Sequence, residues 1–220
     1  SFLSSLLDKD KSASFKTAHE VLSKASKSTA IDFLALTEDN LGYCVVLMTG
    51  SPESFGKRLI FALHEKAIEI WGSRKGKKPE ILQILSHYQA QDESPNFTEI
   101  IESIELLQQA LLKAGFKGIL LAIDELGKFL EYEARHSGTN NIYLLQGLAE
   151  LALANHPVKF AVVVMLHQSI EQYATGLGAT LKNEWAKVQG RFESIPFIDT
   201  SEQTLIIVAE AIEHKFNKTE

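Results

Sequence analysis

The sequence predicts an α/β fold, a three-layer sandwich with a mostly parallel central sheet. Apolar runs of strand length occur at about 43 to 49, 118 to 124, 159 to 166 and 194 to 198. Segments with the spacing of amphipathic helices separate them, and this alternation is typical of a parallel sheet. The runs are nearly continuous in apolar character, as expected for strands covered by helices on both faces. We therefore predict one compact domain over residues 1 to 220.

The predicted helices each carry apolar residues along one face. In chain order they cover residues 52 to 70, 98 to 114, 144 to 153 and 201 to 216. Thr98 is expected to cap the second helix, with Glu102 close by, and Ser201 is expected to cap the fourth. The polar and basic stretch from 72 to 97 is predicted to be an insertion or mobile region.

Composition and charge narrow the classes of function. No apolar run approaches the roughly 20 residues that a membrane span requires, so we expect no membrane partner. Residues 1 to 7 lack the basic leader of a secretory signal, so we expect a cytoplasmic location. The net charge of -6 argues against a surface devoted wholly to nucleic acid, although residues 74 to 78 form a dense basic cluster. The single cysteine, Cys44, lies in an apolar run and is predicted to be a buried hydrophobe.

Two adjacent carboxylates directly follow the second predicted strand. The apolar run that begins at Gly118 ends in Asp124 and Glu125. In P-loop NTPases the Walker B strand ends in this way: an Asp supports Mg²⁺ through water, and a Glu orients the attacking water. The pattern predicts Asp124 as a metal-binding residue and Glu125 as a catalytic residue. A core strand that stops at a polar turn would show the same string.

The motif is part of a longer string in the second half of the chain. Its segments are residues 123 to 132 (IDELGKFLEY), 142 to 146, 148 to 150, 166 to 168, 184 to 193 (EWAKVQGRFE) and 195 to 197. Roughly from residue 115 to 200, the chain resembles large bacterial P-loop ATPases of the additional-strand, catalytic-glutamate division (AAA+/STAND-like), including those of BREX-type phage-defence systems. Before residue 110 the similarity is loose. The resemblance implies ATP and Mg²⁺ as cofactors, a homo-oligomer or multi-protein assembly, and DNA contacted through that assembly.

A Walker B strand implies a Walker A loop upstream, and no intact copy is present. One explanation is that the chain starts just after this loop, so that Ser1 is the Mg²⁺-binding hydroxyl or its neighbour and the visible strands are the second to fifth of five. The other explanation places the loop at residues 51 to 58. There the spacing matches, but Ser51 replaces a glycine, Glu53 adds negative charge, and Arg58 replaces a hydroxyl. The chemistry favours the first explanation.

Two further side chains are candidates for the site. His167 follows the third predicted strand, where this ATPase division places a polar sensor of the γ-phosphate, although a histidine there is often structural. Arg191 can neutralise charge on a transferring phosphoryl group, in its own chain or a neighbouring one. The competing interpretation of Arg191 is a surface ion pair with Glu193 or Glu184. The helical spacing of Lys128, Glu131 and Arg135 predicts surface ion pairs.

These observations support a leading hypothesis and two alternatives. The leading hypothesis is an ATP-binding and hydrolysis core of a larger bacterial ATPase, which couples hydrolysis to conformational change in a DNA-directed defence assembly. The first alternative is a scaffold or interaction domain that keeps the P-loop fold without catalysis. A metal-dependent nuclease is the second, and it needs more acidic ligands than the spacing around Asp124 supplies.

Overall fold

A computed structural model describes residues 13–35, 42–73, 75–91, 95–136, 141–173 and 179–195, with the single positions 205 and 209. The strands are β1 (Tyr43–Thr49), β2 (Gly118–Asp124) and β3 (Lys159–Val164). The helices are α1 (Ala13–Ala25), α2 (Lys27–Ala35), α3 (Phe55–Trp71), α4 (Glu80–Ala90), α5 (Phe97–Ala114), α6 (Gly127–Arg135), α7 (Asn141–Leu153), α8 (Ile170–Tyr173) and α9 (Ala179–Gln189). The predicted α/β class with a parallel sheet is confirmed. None of the helices in these ranges has both the length and the apolar character needed to cross a membrane.

β2 is the central strand of the sheet, and it runs parallel to both neighbours. Every residue of β2 before Asp124 is buried, which explains the uninterrupted apolar run in the sequence. β1 and β3 flank it, and there the burial is incomplete: Leu47 is 45% exposed and Val163 is 44% exposed. Continuous burial, predicted for all the strands, therefore holds only for β2.

The predictions beyond Val164 are met in part. β3 ends at this residue, two positions before the end of the apolar run. Of the fourth predicted strand, Ser194 and Ile195 are described and belong to no strand, whereas residues 196 to 198 lie outside the described ranges. The helix predicted over 201 to 216 also lies outside them, apart from positions 205 and 209, which are helical.

Helix α5 begins one residue earlier than predicted, and a different residue caps it. The Asn96 side chain accepts a hydrogen bond from the Glu99 backbone N–H at 3.0 Å, and the Glu99 carboxylate accepts one from the Asn96 backbone N–H at 2.7 Å. This reciprocal pair is a capping box. The predicted cap at Thr98 with Glu102 was therefore wrong, because Asn96 and Glu99, which have the three-residue spacing of a capping box, satisfy the first free N–H groups of the helix.

The stretch predicted to be an insertion contains a helix of the folded core. Helix α4 lies within residues 72 to 97 and contacts both α3 and α5. Its apolar side chains Ile81, Leu82 and Leu85 are buried. Their spacing places them on one face, a signal that the polar residues on either side obscure.

The core lies between the sheet and the helices that connect its strands. Trp185 of α9 is only 2% exposed, so it is a core residue. Cys44 is also buried, as predicted, and burial raises the pKa of its thiol to about 12. The buried Gln108 side chain donates a hydrogen bond to the Val158 carbonyl at 2.6 Å, which ties α5 to the start of β3.

Candidate functional site

The turn after β2 is held by the ends of both neighbouring strands. On one side the Gly50 N–H donates to the Asp124 carbonyl at 2.8 Å. On the other side the Met165 N–H donates to the Ile123 carbonyl at 2.9 Å, and the Leu126 N–H donates to the Met165 carbonyl at 3.2 Å. Because the strands are parallel, all three carboxyl ends meet at this edge of the sheet, where α/β proteins commonly bind ligands. We call it the carboxyl edge.

Asp124 occupies the centre of the carboxyl edge. Its side chain is exposed and makes no hydrogen bond or ion pair with any described residue. The strand register places Thr49, which is also exposed, directly opposite it on β1. A free carboxylate beside a hydroxyl offers hard oxygen donors to a cation. Thr49 was not identified from the sequence, although the first and second strands were predicted to end at residues 49 and 124, which are paired in the sheet.

Glu125 has an unusual backbone conformation. Its φ of 53° lies in the left-handed region, and no other non-glycine residue of the described ranges has a positive φ. This conformation costs about 1–2 kcal/mol for a residue with a Cβ atom. The Glu125 carbonyl lies against Gly50, where an added Cβ would be 2.0 Å from the oxygen. Turns strained in this way occur often at functional sites, and this one directs the chain sharply from β2 into α6.

The Glu125 carboxylate lies between two basic side chains. Its Oε2 atom accepts a hydrogen bond from Lys128 Nζ at 2.5 Å, and its Oε1 atom is 3.9 Å from His167 Nε2. The Lys128 hydrogen bond lowers the pKa of the Glu125 carboxyl; partial burial opposes this, and the charges of Lys128 and His167 reinforce it. The structure thus brings Glu125 and His167 together, as the sequence predicted. The ion pair predicted between Lys128 and Glu131 was wrong, because Lys128 binds Glu125 from the first turn of α6.

Replacing Lys128 with methionine is expected to raise the pKa of Glu125 toward its ordinary value, because the largest stabilising contact of the carboxylate is lost. A lowered folded-state pKa stabilises the fold above the unfolded-state pKa, and this contribution disappears as the pH falls through the folded-state value. The side-chain carboxyl carbon of Glu125, followed by NMR during a pH titration, measures the shift. Lys24→Met, on an exposed part of α1, is the control. Identical Glu125 titrations in wild type and Lys128→Met would contradict the prediction.

The two predicted locations of a phosphate-binding loop have different outcomes. Ser1 lies outside the described residues. At residues 51 to 58 the chain forms a turn followed by the start of α3, with Ser54 as the N-cap. The Ser51 hydroxyl donates to the Glu53 carboxylate at 2.5 Å, so a negative charge lies in the loop where a phosphate would bind. This segment has the structure of an ordinary turn and helix start, the interpretation that its chemistry favoured.

Arg191 does not join the carboxyl-edge cluster. Its Nη2 atom is 3.1 Å from Oε1 of Glu150, near the end of α7. The predicted ion pair with Glu193 or Glu184 was therefore wrong, and Glu184 binds Lys187 at 2.7 Å. A role for Arg191 in phosphoryl transfer stays a prediction, and it requires release from Glu150 or contact with a neighbouring subunit.

The carboxyl edge fits a magnesium ion that is carried by a nucleotide better than one held by protein alone. Within the described ranges, no three His, Cys, Asp or Glu side chains converge as a metal-binding group. Mg²⁺ commonly keeps several waters and is bound by one or two carboxylates together with substrate phosphates. Asp124 matches that limited requirement. The additional acidic ligands that a nuclease would need are not found in the part of the chain that the structure describes.

Comparison with known proteins finds no match: no protein-family model, no curated protein and no solved structure is significantly similar to this chain. The similarity of residues 115 to 200 to P-loop ATPases thus stays a prediction. The structural features that bear on function are the parallel sheet and the residues at its carboxyl edge.

Proposed function

We propose that this chain is the ATP-binding and hydrolysis core of a larger P-loop ATPase, within a three-layer fold of that class. One observation carries the proposal: the central strand of a parallel sheet ends in two carboxylates, and the second is held in a strained turn between the ends of both neighbouring strands. The left-handed conformation of Glu125 is uncommon for a residue with a Cβ atom, and such conformations cluster at functional sites. Such strain persists where the surrounding structure over-determines it.

The two carboxylates have different surroundings, which suit different roles. Asp124 is exposed and has no partner among the described residues, so it is free to hold a water-coordinated Mg²⁺ ion, with Thr49 beside it. The bound Mg²⁺ would neutralise charge on the phosphate oxygens. Glu125 is kept ionised by Lys128, and an ionised carboxylate can accept a proton from the attacking water. His167, exposed and 3.9 Å from Glu125, can donate a hydrogen bond to the γ-phosphate.

The remaining parts of the proposed machinery lie beyond these residues. The phosphate-binding loop would lie outside the described ranges, with Ser1 as the Mg²⁺-binding hydroxyl or its neighbour. Arg191 would act from its own chain or on the nucleotide of an adjacent subunit. If residues 115 to 200 belong to an ATPase of the phage-defence type that they resemble, hydrolysis would drive a conformational change in a cytoplasmic assembly directed against foreign DNA.

An interaction domain without catalysis is the second candidate, and two contacts favour it. Glu125 forms an ion pair with Lys128, and Arg191 forms an ion pair with Glu150. In a scaffold both would be permanent structural ion pairs. In an ATPase both would exchange partners when nucleotide binds. Asp124 favours the ATPase, because its free carboxylate lies at the carboxyl end of the central strand, where α/β proteins commonly bind ligands.

Mg²⁺-dependent ATP turnover by the full-length protein tests the proposal. We expect Asp124→Asn to reduce turnover by about 100-fold, since the support of a metal ion is worth several kcal/mol. The matched control is Asp32→Asn, which neutralises an exposed carboxylate of α2. Absence of turnover in the wild-type protein, with or without double-stranded DNA, would favour the interaction domain. Equal turnover in Asp124→Asn and Asp32→Asn would exclude the metal role of Asp124.

A further inference from the structure

A second concave surface lies at the edge of the sheet opposite Asp124. Helix α3 leaves the carboxyl end of β1 and returns to end at Trp71, and α5 ends at Ala114, just before β2 begins. Both helix ends therefore lie where the strands start. Between them is a cleft of about 600 Å³, a size typical of ligand pockets. Its lining includes Trp71, Lys75, Lys77, Lys78, Leu106 and Lys113, and we call it the basic cleft.

Two segments that are distant in the sequence contribute lysine side chains to the rim of the basic cleft. Lys75, Lys77 and Lys78 come from the segment after α3, and Lys113 comes from the last turn of α5. Among the described residues of the lining, Glu80 is the only one with a carboxylate. Lys78 has a structural task, since its Nζ donates to the Gly72 carbonyl at 2.9 Å. The other three lysines are exposed and have no hydrogen bond or ion pair with described residues.

This charge is unusual for the molecule as a whole. The chain carries a net charge of -6, yet three unpaired ammonium groups are gathered around one concavity. Like charges repel one another, although exposure to solvent weakens the repulsion, so these lysines are electrostatically complementary to an anionic partner. An anion placed between the lysines would relieve the repulsion and form charge-assisted hydrogen bonds.

The floor of the cleft distinguishes between classes of anion. Its apolar surface comes from Leu106, which is 36% exposed, and from the half-buried Ala110 and Ala114, while Trp71 and Ile81 lie buried beneath. A nucleic-acid backbone would satisfy the lysine rim but would leave the apolar side chain of Leu106 without a partner. A peptide that carries carboxylates around one apolar side chain satisfies both the lysine rim and the apolar floor.

We infer that the basic cleft is a docking site for an acidic peptide segment of a partner protein. One apolar side chain of the segment would lie on the floor against Leu106. Its carboxylates would bind Lys75, Lys77 and Lys113. The inference is independent of the proposed ATPase activity, because the cleft lies at the other edge of the sheet from Asp124.

The test compares two triple variants with equal charge. The cleft variant combines Lys75→Gln, Lys77→Gln and Lys113→Gln, and it keeps Lys78 because that side chain holds the loop. The control combines the substitutions of three exposed lysines on α1 and α2, Lys16→Gln, Lys24→Gln and Lys27→Gln. The probes are fluorescent peptides of alternating glutamate and aspartate around a central leucine, phenylalanine or serine. Binding to the full chain is measured by fluorescence anisotropy.

We expect the leucine and phenylalanine peptides to bind, and the cleft variant to weaken them by at least about tenfold while the control stays within about twofold of wild type. The serine peptide should bind more weakly, and Leu106→Ser should remove that preference. No binding of the apolar peptides below about 1 mM, or an equal loss in both triple variants, would overturn the inference. If short duplex DNA bound the wild-type chain and only the cleft variant lost this binding, the cleft would instead be assigned to nucleic acid.

Discussion

Replacing Glu125 with glutamine in the full-length protein is expected to reduce Mg²⁺-dependent ATP turnover by about 100-fold or more while ATP binding is retained. Glutamine keeps the size of the side chain and an oxygen acceptor for Lys128, but it cannot take a proton from water. The structure makes this substitution informative, because Glu125 is held ionised and lies beside His167. Turnover is measured by phosphate release and binding by displacement of a fluorescent ATP analogue.

The control for this experiment is Glu105→Gln, which changes an exposed carboxylate on α5 in the same way. It should leave turnover within about twofold of wild type, as surface substitutions away from a site usually do. Glu125→Gln with wild-type turnover would remove Glu125 from the catalytic role. If the variant lost ATP binding and turnover together, the carboxylate would serve the nucleotide pocket and not the chemical step.

Replacing Gly50 with alanine is expected to lower the free energy of unfolding by about 2–3 kcal/mol, the cost of forcing atoms into a packed region. The added Cβ would lie 2.0 Å from the carbonyl oxygen of Glu125 and 2.8 Å from its carbonyl carbon. Both are backbone atoms, so no rotamer change can relieve the clash, and the turn after β2 must move away from β1. The hydrogen bond from the Gly50 N–H to the Asp124 carbonyl would be strained as well.

Urea unfolding followed by circular dichroism measures this loss. Gly190→Ala is the matched control, because its Cβ would meet the Ala186 carbonyl at an ordinary 3.5 Å. We expect the control to unfold near the wild-type midpoint. An unchanged midpoint for Gly50→Ala would show that the β1 end and the turn are not packed as closely as described. Turnover of Gly50→Ala should also fall, since both carboxylates depend on the displaced turn.

The strands illustrate how much local sequence can predict. β1 and β2 begin and end where their apolar runs do, because polar residues or glycine bound both runs. The run for β3 is two residues too long, because apolar residues continue to Leu166 after the strand ends. Helix α4 was missed, since its three buried residues are surrounded by polar and basic ones.

The side-chain contacts of the candidate site were predicted less well from local sequence than the strands were. Asp124 and Glu125 were identified from their position after a strand, and His167 from its position after the next strand. Lys128 was assigned to Glu131 because helical spacing allows that pair, but the sharp turn before α6 places Glu125 nearer. Arg191 was assigned to neighbours in sequence, whereas its partner Glu150 is reached only through the packing of α9 beside α7.

The α/β class and the position of two carboxylates at the end of a buried strand could be predicted from the amino-acid sequence alone. These features follow from the periodicity of apolar residues, which is local and can be read without contacts. The surroundings of the carboxylates and the lysines depend on the three-dimensional fold. The close approach of Gly50 to Glu125, the ion pair of Arg191 with Glu150 and the arrangement of Lys113 beside Lys75 join residues that are distant in the chain. Such contacts depend on strand register and helix packing, which no local pattern specifies.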